Sequence, residues 1–170
     1  MAMATTLSQI LEATISPDQN ISGKALQYLQ DALKSDLPGF LNVLTIEIAN
    51  ESNTPTVRMA ASLFVKNQLA MRDEASRKEL HNRWLQVNAQ SRKQIKNNLL
   101  KTLATPHTIV GRSVAQAVSS IAQAELPNNQ WPELIQLLLY NATHSNNNFY
   151  LQQATIEALG FICEEIVIFY

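Results

Sequence analysis

The sequence predicts an all-α protein built from about four stacked helical hairpins. Three observations carry this. Apolar residues recur at helical spacing almost throughout, and no convincing period-2 stretch interrupts them. Four glycines and six prolines are too few for a many-stranded sandwich or barrel, and several prolines stand where helices should begin. The second helix of each pair places alanine on its buried face with an apolar residue one turn later: Ala25/Leu29, Ala60/Phe64, Ala117/Ile121 and Ala154/Ala158. The alanines are 35, 57 and 37 residues apart, two of the three near the period of helical-hairpin repeats. Small residues let paired helices approach closely, while large ones fill the space between pairs.

The elements follow in order. A short helix over 7–15 comes first. Ser16-Pro17-Asp18-Gln19 reads as the next start, with Ser16 capping, Pro17 in the first turn and Gln19 completing a capping box. The helix after it offers Ile21, Ala25, Tyr28, Leu29, Ala32 and Leu33 as a buried face. Pro38 opens a helix that buries Phe40, Leu41, Leu44 and Ile48. Thr54-Pro55 opens another, in which Val57, Ala60, Ala61, Phe64 and Val65 pack and Arg58, Ser62 and Lys66 do not. Helices are then expected over 74–84, 89–103 and 109–124, and Leu126-Pro127-Asn128-Asn129 breaks the chain. Pro132 starts a helix to about Ala142, Asn146-Asn147-Asn148 turns, and a final helix covers 150–166.

Composition excludes several function classes. The formal net charge is −1, which removes the simplest argument for nucleic-acid binding. The four glycines never cluster, so no phosphate-cradling loop is present. One cysteine, Cys163, excludes an internal disulfide framework and fits a reducing compartment. No stretch approaches the roughly 20 apolar residues of a membrane span. No basic and apolar N-terminal segment marks a secretory signal. Fifteen Asn and fourteen Gln outnumber all charged residues, so neutral polar surface is abundant.

Catalytic constellations are sparse, and the chain is not expected to be an enzyme, to hold a metal or to need a cofactor. His81, His107 and His144 fall in different pairs or loops, and none has a ligand partner at i, i+4. Cys163, beside Glu164 and Glu165, is expected as a small buried residue rather than an activated thiol. Glu164-Glu165 is read as a solvated helix end, because helical neighbours diverge by about 100°. No G-x-S-x-G context supports a nucleophilic serine.

Residues 72–101 hold eight of the thirteen basic residues against Asp73, Glu74 and Glu79. Arg92, Lys93 and Lys96 share one broad helical face, with Lys101 further on. Stacking on RNA would want interleaved aromatics, and the nearby Trp84 is expected in the core with Leu80 and Leu85. A solvated face or an acidic protein partner is the favoured reading. Trp131, beside Pro132, is expected to staple its turn into the core.

Four blocks resemble the importin-β family of nuclear transport receptors. Val57-Arg58-Met59-Ala60-Ala61-Ser62-Leu63-Phe64-Val65-Lys66-Asn67 is similar to its V-R-x-A-A-x-L-x-x-K-N signature. Trp84-Leu85, Arg92-Lys93-Gln94-Ile95-Lys96-Asn97 and Leu100-Lys101-Thr102-Leu103 resemble its next block. The stretch from Ile121-Ala122 through Glu125-Leu126-Pro127 to Trp131-Pro132-Glu133-Leu134-Ile135 is similar to I-A-x-x-E-[IL]-P-x-x-x-W-P-E-L-I, and Glu157 to Glu164 continues in register. The resemblance covers about residues 7–166.

The resemblance implies a right-handed α-α superhelix of HEAT repeats, divided at about 6–34, 37–72, 74–125 (with the basic insertion) and 130–166. The second helix of each pair would lie on the concave side. It further implies binding of the GTP-bound small GTPase Ran to these N-terminal repeats. Most binding of importin-α or cargo, and the principal sites for Phe-Gly nucleoporins, would belong to later repeats of a full receptor. Cytoplasm, nucleus and the nuclear pore are the implied locations. Lys66 and Asn67 match the signature and are expected contacts, followed by Arg112, Gln152 and Gln153 on the later concave helices. Arg58 is instead expected to bridge successive repeats. The family pattern would continue after Ile166 into an acidic loop and a fifth repeat, so the apolar tail 167–170 departs from it and suggests a shortened product. A generic HEAT scaffold for another complex is the alternative reading.

Overall fold

The computed structural model describes residues 6–144 and 148–167. Among them are nine α-helices, one 3-10 turn and no strand. The helices are α1 (Leu7–Ala13), α2 (Gln19–Ser35), α3 (Leu37–Ala49), α4 (Pro55–Asn67), α5 (Glu74–Leu85), α6 (Ala89–Thr102), α7 (Thr108–Glu125), α8 (Leu134–His144) and α9 (Phe149–Val167). Asn146 and Asn147 of the expected turn, and Ile168 to Tyr170 of the apolar tail, lie outside the described residues.

Short polar side chains set most helix starts, because each satisfies an otherwise orphaned backbone N–H. Thr6, Asp36, Thr54, Asp73 and Asn88 each accept from an N–H of the first turn that follows. Asn148 does the same for the N–H of Leu151 at the start of α9. The second helix is capped by Asp18, whose carboxylate accepts from Asn20 N–H, and not by Ser16 as expected. Ser16 Oγ instead accepts from Asp18 N–H, two residues on. The capping box occurs instead at Thr6 and Gln9. The helix expected from Pro132 begins at Leu134, so Pro132 and Glu133 belong to the preceding turn.

Successive hairpins pack into two layers. The pairs α3/α4, α6/α7 and α8/α9 are antiparallel neighbours, α4, α7 and α9 lie side by side in one layer, and α3 packs on α6 in the other. At the N-terminal end α1 packs on α4 and α2 on α3. Small residues make the α7/α9 seam close. A methyl added at Gly111 would meet Ala154 Cβ at 3.4 Å, so the two backbones approach more nearly than larger side chains allow. Leu44, Ile48, Ile95, Leu99, Val114, Ile121 and Leu138 run through the interior as one continuous core.

Several expected exposures are corrected. Ile21 and Tyr28 are exposed at 49% and 56%, because α2, at the end of the stack, buries only Ala25, Leu29 and Leu33. Arg58 and Ser62 are buried, not solvated. Ser62 satisfies its hydroxyl on Arg58 carbonyl oxygen one turn back, at 2.8 Å. Arg58 donates Nε–H to the Ile48 carbonyl at 2.7 Å, closing the C-terminal end of α3. That contact lies within the α3/α4 hairpin rather than between successive repeats. Burial pushes the Arg58 guanidinium down, with Glu51 opposing. Cys163 on α9 is exposed, not buried as expected.

Gly160 sits in the interior of α9, exposed, with no atom within 4 Å of an added methyl. Gly160→Ala is therefore expected to raise stability by about 0.5–1 kcal/mol, read as a higher urea midpoint. A loss of stability would mean that this turn of α9 is not helical in solution.

Candidate protein-binding surface

The outward face of the α4, α7 and α9 layer carries both charged and neutral polar side chains. At its centre is an open groove of about 610 Å³. Lys66 and Asn67 at the end of α4 and Met71 in the loop after it form one wall, α7 supplies Gln116, Ser119 and Gln123, and α9 supplies Phe161 and Glu164. Helical periodicity explains the set on α7: residues 116, 119/120 and 123 lie on one stripe, opposite the buried Val114, Val118 and Ile121. Ser119 and Ser120 are small enough to form the floor without standing above it. Arg72 and Arg77 add positive charge beside Lys66, and Glu164 faces them with the opposite sign.

Lys66 and Asn67, the first of the expected contacts, both line this groove. Lys66 lies in the last turn of α4, where an ammonium is favoured by the helix dipole. Arg112 lies further along the same α7 stripe. It is 61% exposed, its Nη1 lies 3.8 Å from Glu157 Oε1, and its guanidinium stands 5.6 Å from the Phe161 ring centroid. Gln153 donates Nε2–H to the same Glu157 oxygen at 3.4 Å. Arg112, Gln153 and Glu157 therefore form one polar cluster, and Phe161 joins it to the groove. Gln152 is half-buried and lines neither the groove nor that cluster, being rotated about 100° from Gln153 around α9. Sequence reasoning missed Gln116, Ser119, Gln123, Glu157 and Phe161. The α7 stripe was readable as polar side chains at i, i+3 and i+7, whereas the α9 residues required knowing which face meets α7.

The basic segment is organised differently from expectation. Arg92 and Lys96 are buried, not solvated, and both pair with the fully buried Glu125. Arg92 Nη1 donates to Glu125 Oε1 at 2.8 Å, and the Lys96 ammonium bonds the other oxygen. Trp84 Nε1–H donates to Glu125 Oε1 at 3.0 Å, and Arg92 also reaches the Val87 carbonyl and Gln130 Oε1. Trp84 and Trp131 are both in the core as expected, and Lys96 Nζ lies 4.5 Å from the Trp131 ring centroid. This network ties α5, α6 and the end of α7 to the turn before α8. Lys93 and Lys101 remain exposed.

Nothing in these clusters has the geometry of catalysis. His81 shares its ring with the Leu69 carbonyl at 3.2 Å, and burial pushes its pKa down. Hydrogen bonds from the backbone and hydroxyl of Ser76 hold the Asp73 carboxyl below its usual range, as befits a helix cap. Among the described residues no group of three His, Cys, Asp or Glu could hold a metal ion. Among the described residues no helix is long and apolar enough to cross a membrane.

Residues 25–105 match the family model described as the importin-beta N-terminal domain. Importin subunit beta-1 of Schizosaccharomyces pombe is 34% identical over 158 residues, which is 93% of this chain and 18% of that protein. Importin subunit beta-1 of Arabidopsis thaliana is 36% identical over 164 residues, 96% of this chain and 19% of that protein. The chain thus spans less than a fifth of the length of these relatives. A crystal structure of importin beta superposes with a TM-score of 0.89 at 36% identity, covering 93% of this chain and 18% of that one. A second, in which Kap95p binding induces the switch loops of RanGDP to adopt the GTP-bound conformation, gives 0.87 at 30% identity, covering 95% and 19%. The helical layers described above are accordingly those of importin-beta solenoids.

Proposed function

Because the chain belongs to the importin-β family, whose members are transport receptors rather than enzymes, we propose that it is the N-terminal part of a nuclear import receptor and binds GTP-bound Ran through the α4, α7 and α9 face. One observation supports this above the rest. That face is continuous over three helices, with Lys66 and Asn67 at one end, Arg112, Gln153 and Glu157 at the other, and Phe161 between them. Such a surface offers cations, amides and one half-buried ring over a long span, which suits a protein partner better than a small substrate.

The mechanism is recognition without chemistry. A switch segment that lies on the face in one nucleotide state and not in the other makes contacts only in the first, and the affinity difference follows from those contacts. In the yeast relative, Kap95p and Ran have been solved together, which supports the same partner here. A Kap95:Nup1 complex likewise supports nucleoporins as partners of a full receptor, with importin-α or cargo bound by later repeats. Location in cytoplasm, nucleus and nuclear pore follows from that role. The division into repeats at 6–34, 37–72, 74–125 and 130–166 forms part of this proposal, with Gln152 a peripheral contact.

Lys66→Glu is expected to weaken binding of GTP-loaded Ran by about tenfold, with the melting temperature kept within a few degrees. Lys101→Glu, at an exposed position of α6, is the control and should leave affinity unchanged. Equal losses in both variants would contradict the assignment of the face.

A further inference from the structure

A second groove, of about 410 Å³, opens between α6 and α8, away from the face just described. Its α6 wall presents Arg92, Lys93 and Lys96, and the far side presents Trp131, with Leu100 and Leu137 as apolar flanks. Glu133 is the carboxylate among its lining residues, on the α8 side. Arg92 and Lys96 are 7% and 9% exposed, so both are more than nine-tenths buried while still lining the groove.

The charges here do not balance. Two buried cations share the single carboxylate of Glu125, which is 0% exposed, and the cluster keeps a net positive charge in a poorly solvated place. Their hydrogen bonds are also incomplete. Arg92 uses Nε on Val87, Nη1 on Glu125 and Nη2 on Gln130, which leaves a further N–H on each terminal nitrogen. Lys96 spends one N–H on Glu125 and lays its ammonium over the Trp131 ring. Lys93, exposed beside them, extends the positive wall to the surface. An arriving anion would relieve the excess charge and take up the spare donors. A small ion would fill little of the groove, and the apolar flanks ask for side chains next to the negative charge.

We propose that the α6/α8 groove docks an acidic peptide segment of a partner protein, its carboxylate meeting Arg92, Lys93 and Lys96 and a neighbouring apolar side chain resting on Trp131, Leu100 and Leu137. This site is independent of the Ran reading. Trp84 and Trp131 are the chain's two tryptophans and both touch the charged cluster, so intrinsic fluorescence reads it directly.

The probe is a short peptide of glutamates interrupted by leucines, titrated into the intact chain. Binding that perturbs the fluorescence, weakens with salt and falls about tenfold when glutamine replaces glutamate supports the site. Lys93→Gln should weaken it about fivefold or more, and Lys101→Gln, outside the groove, should not. Equal binding of both peptides, equal loss in both lysine variants, or no binding at millimolar peptide would overturn the proposal. So would inorganic phosphate or a single-stranded RNA oligonucleotide binding more tightly than the peptide.

Discussion

Glu125→Gln should lower the stability of the chain by about 3–5 kcal/mol, the range for breaking a buried ion pair by removing one partner. Glutamine keeps the shape and an acceptor for Trp84 Nε1–H, so little packing is lost. What disappears is the negative charge paired with Arg92 and Lys96, and the two cations then remain buried without that partner. The charged groups come from α6 and α7, with Trp84 from α5 and Gln130 from the turn before α8, so the effect should spread across the middle of the stack. Glu157→Gln is the comparison. Its partner Arg112 is 61% exposed and 3.8 Å away, so that loss should stay within about 0.5 kcal/mol. Urea midpoints of the two variants decide the matter, and equal shifts would contradict the buried network.

Trp131→Ala is expected to cost about 3–5 kcal/mol, as large aromatic truncations in a core do. Trp131 is 2% exposed at the turn before α8, and its ring is the surface on which the Lys96 ammonium rests. Removing it leaves a cavity beside a buried cation, so water enters or α8 shifts. Trp131→Phe retains an aromatic face and should recover more than half of the loss. The double variant with Glu125→Gln should fall short of the sum of the single effects, because both side chains hold the same lysine. Calorimetric unfolding of the four proteins, wild type included, tests this, and strict additivity would argue against a shared site.

The helices were legible in the sequence because their signals are local. Asp36-Leu37-Pro38 and Thr54-Pro55 place a cap and a proline within two residues, and α3 and α4 begin there. Burial of long polar side chains was not legible. Arg92 and Lys96 share a helical face that reads as solvated, yet they reach a carboxylate 33 and 29 residues further along the chain. Arg58 failed for a similar reason, since its partner is a backbone carbonyl of the preceding helix, invisible to any pattern of side chains.

The site was half legible. Lys66 and Asn67 came from the family signature and line the central groove, while Arg112 and Gln153 meet through Glu157, whose place depends on the packing of α7 against α9. The words spanning Ile121 to Ile135 carry a structural meaning as well. Their Glu125, Gln130 and Trp131 build the buried network, so this part of the resemblance records how the stack is held together.

The proposed recognition of GTP-bound Ran requires the α4, α7 and α9 face to distinguish two states of one partner. The most direct measurement is the affinity of this chain for Ran loaded with GTP and with GDP, under the same salt and protein concentration. Binding at least about tenfold tighter to the GTP form is the expected result if, as proposed, the face meets only one switch conformation. Equal affinity for the two forms, or no binding to either, would contradict it.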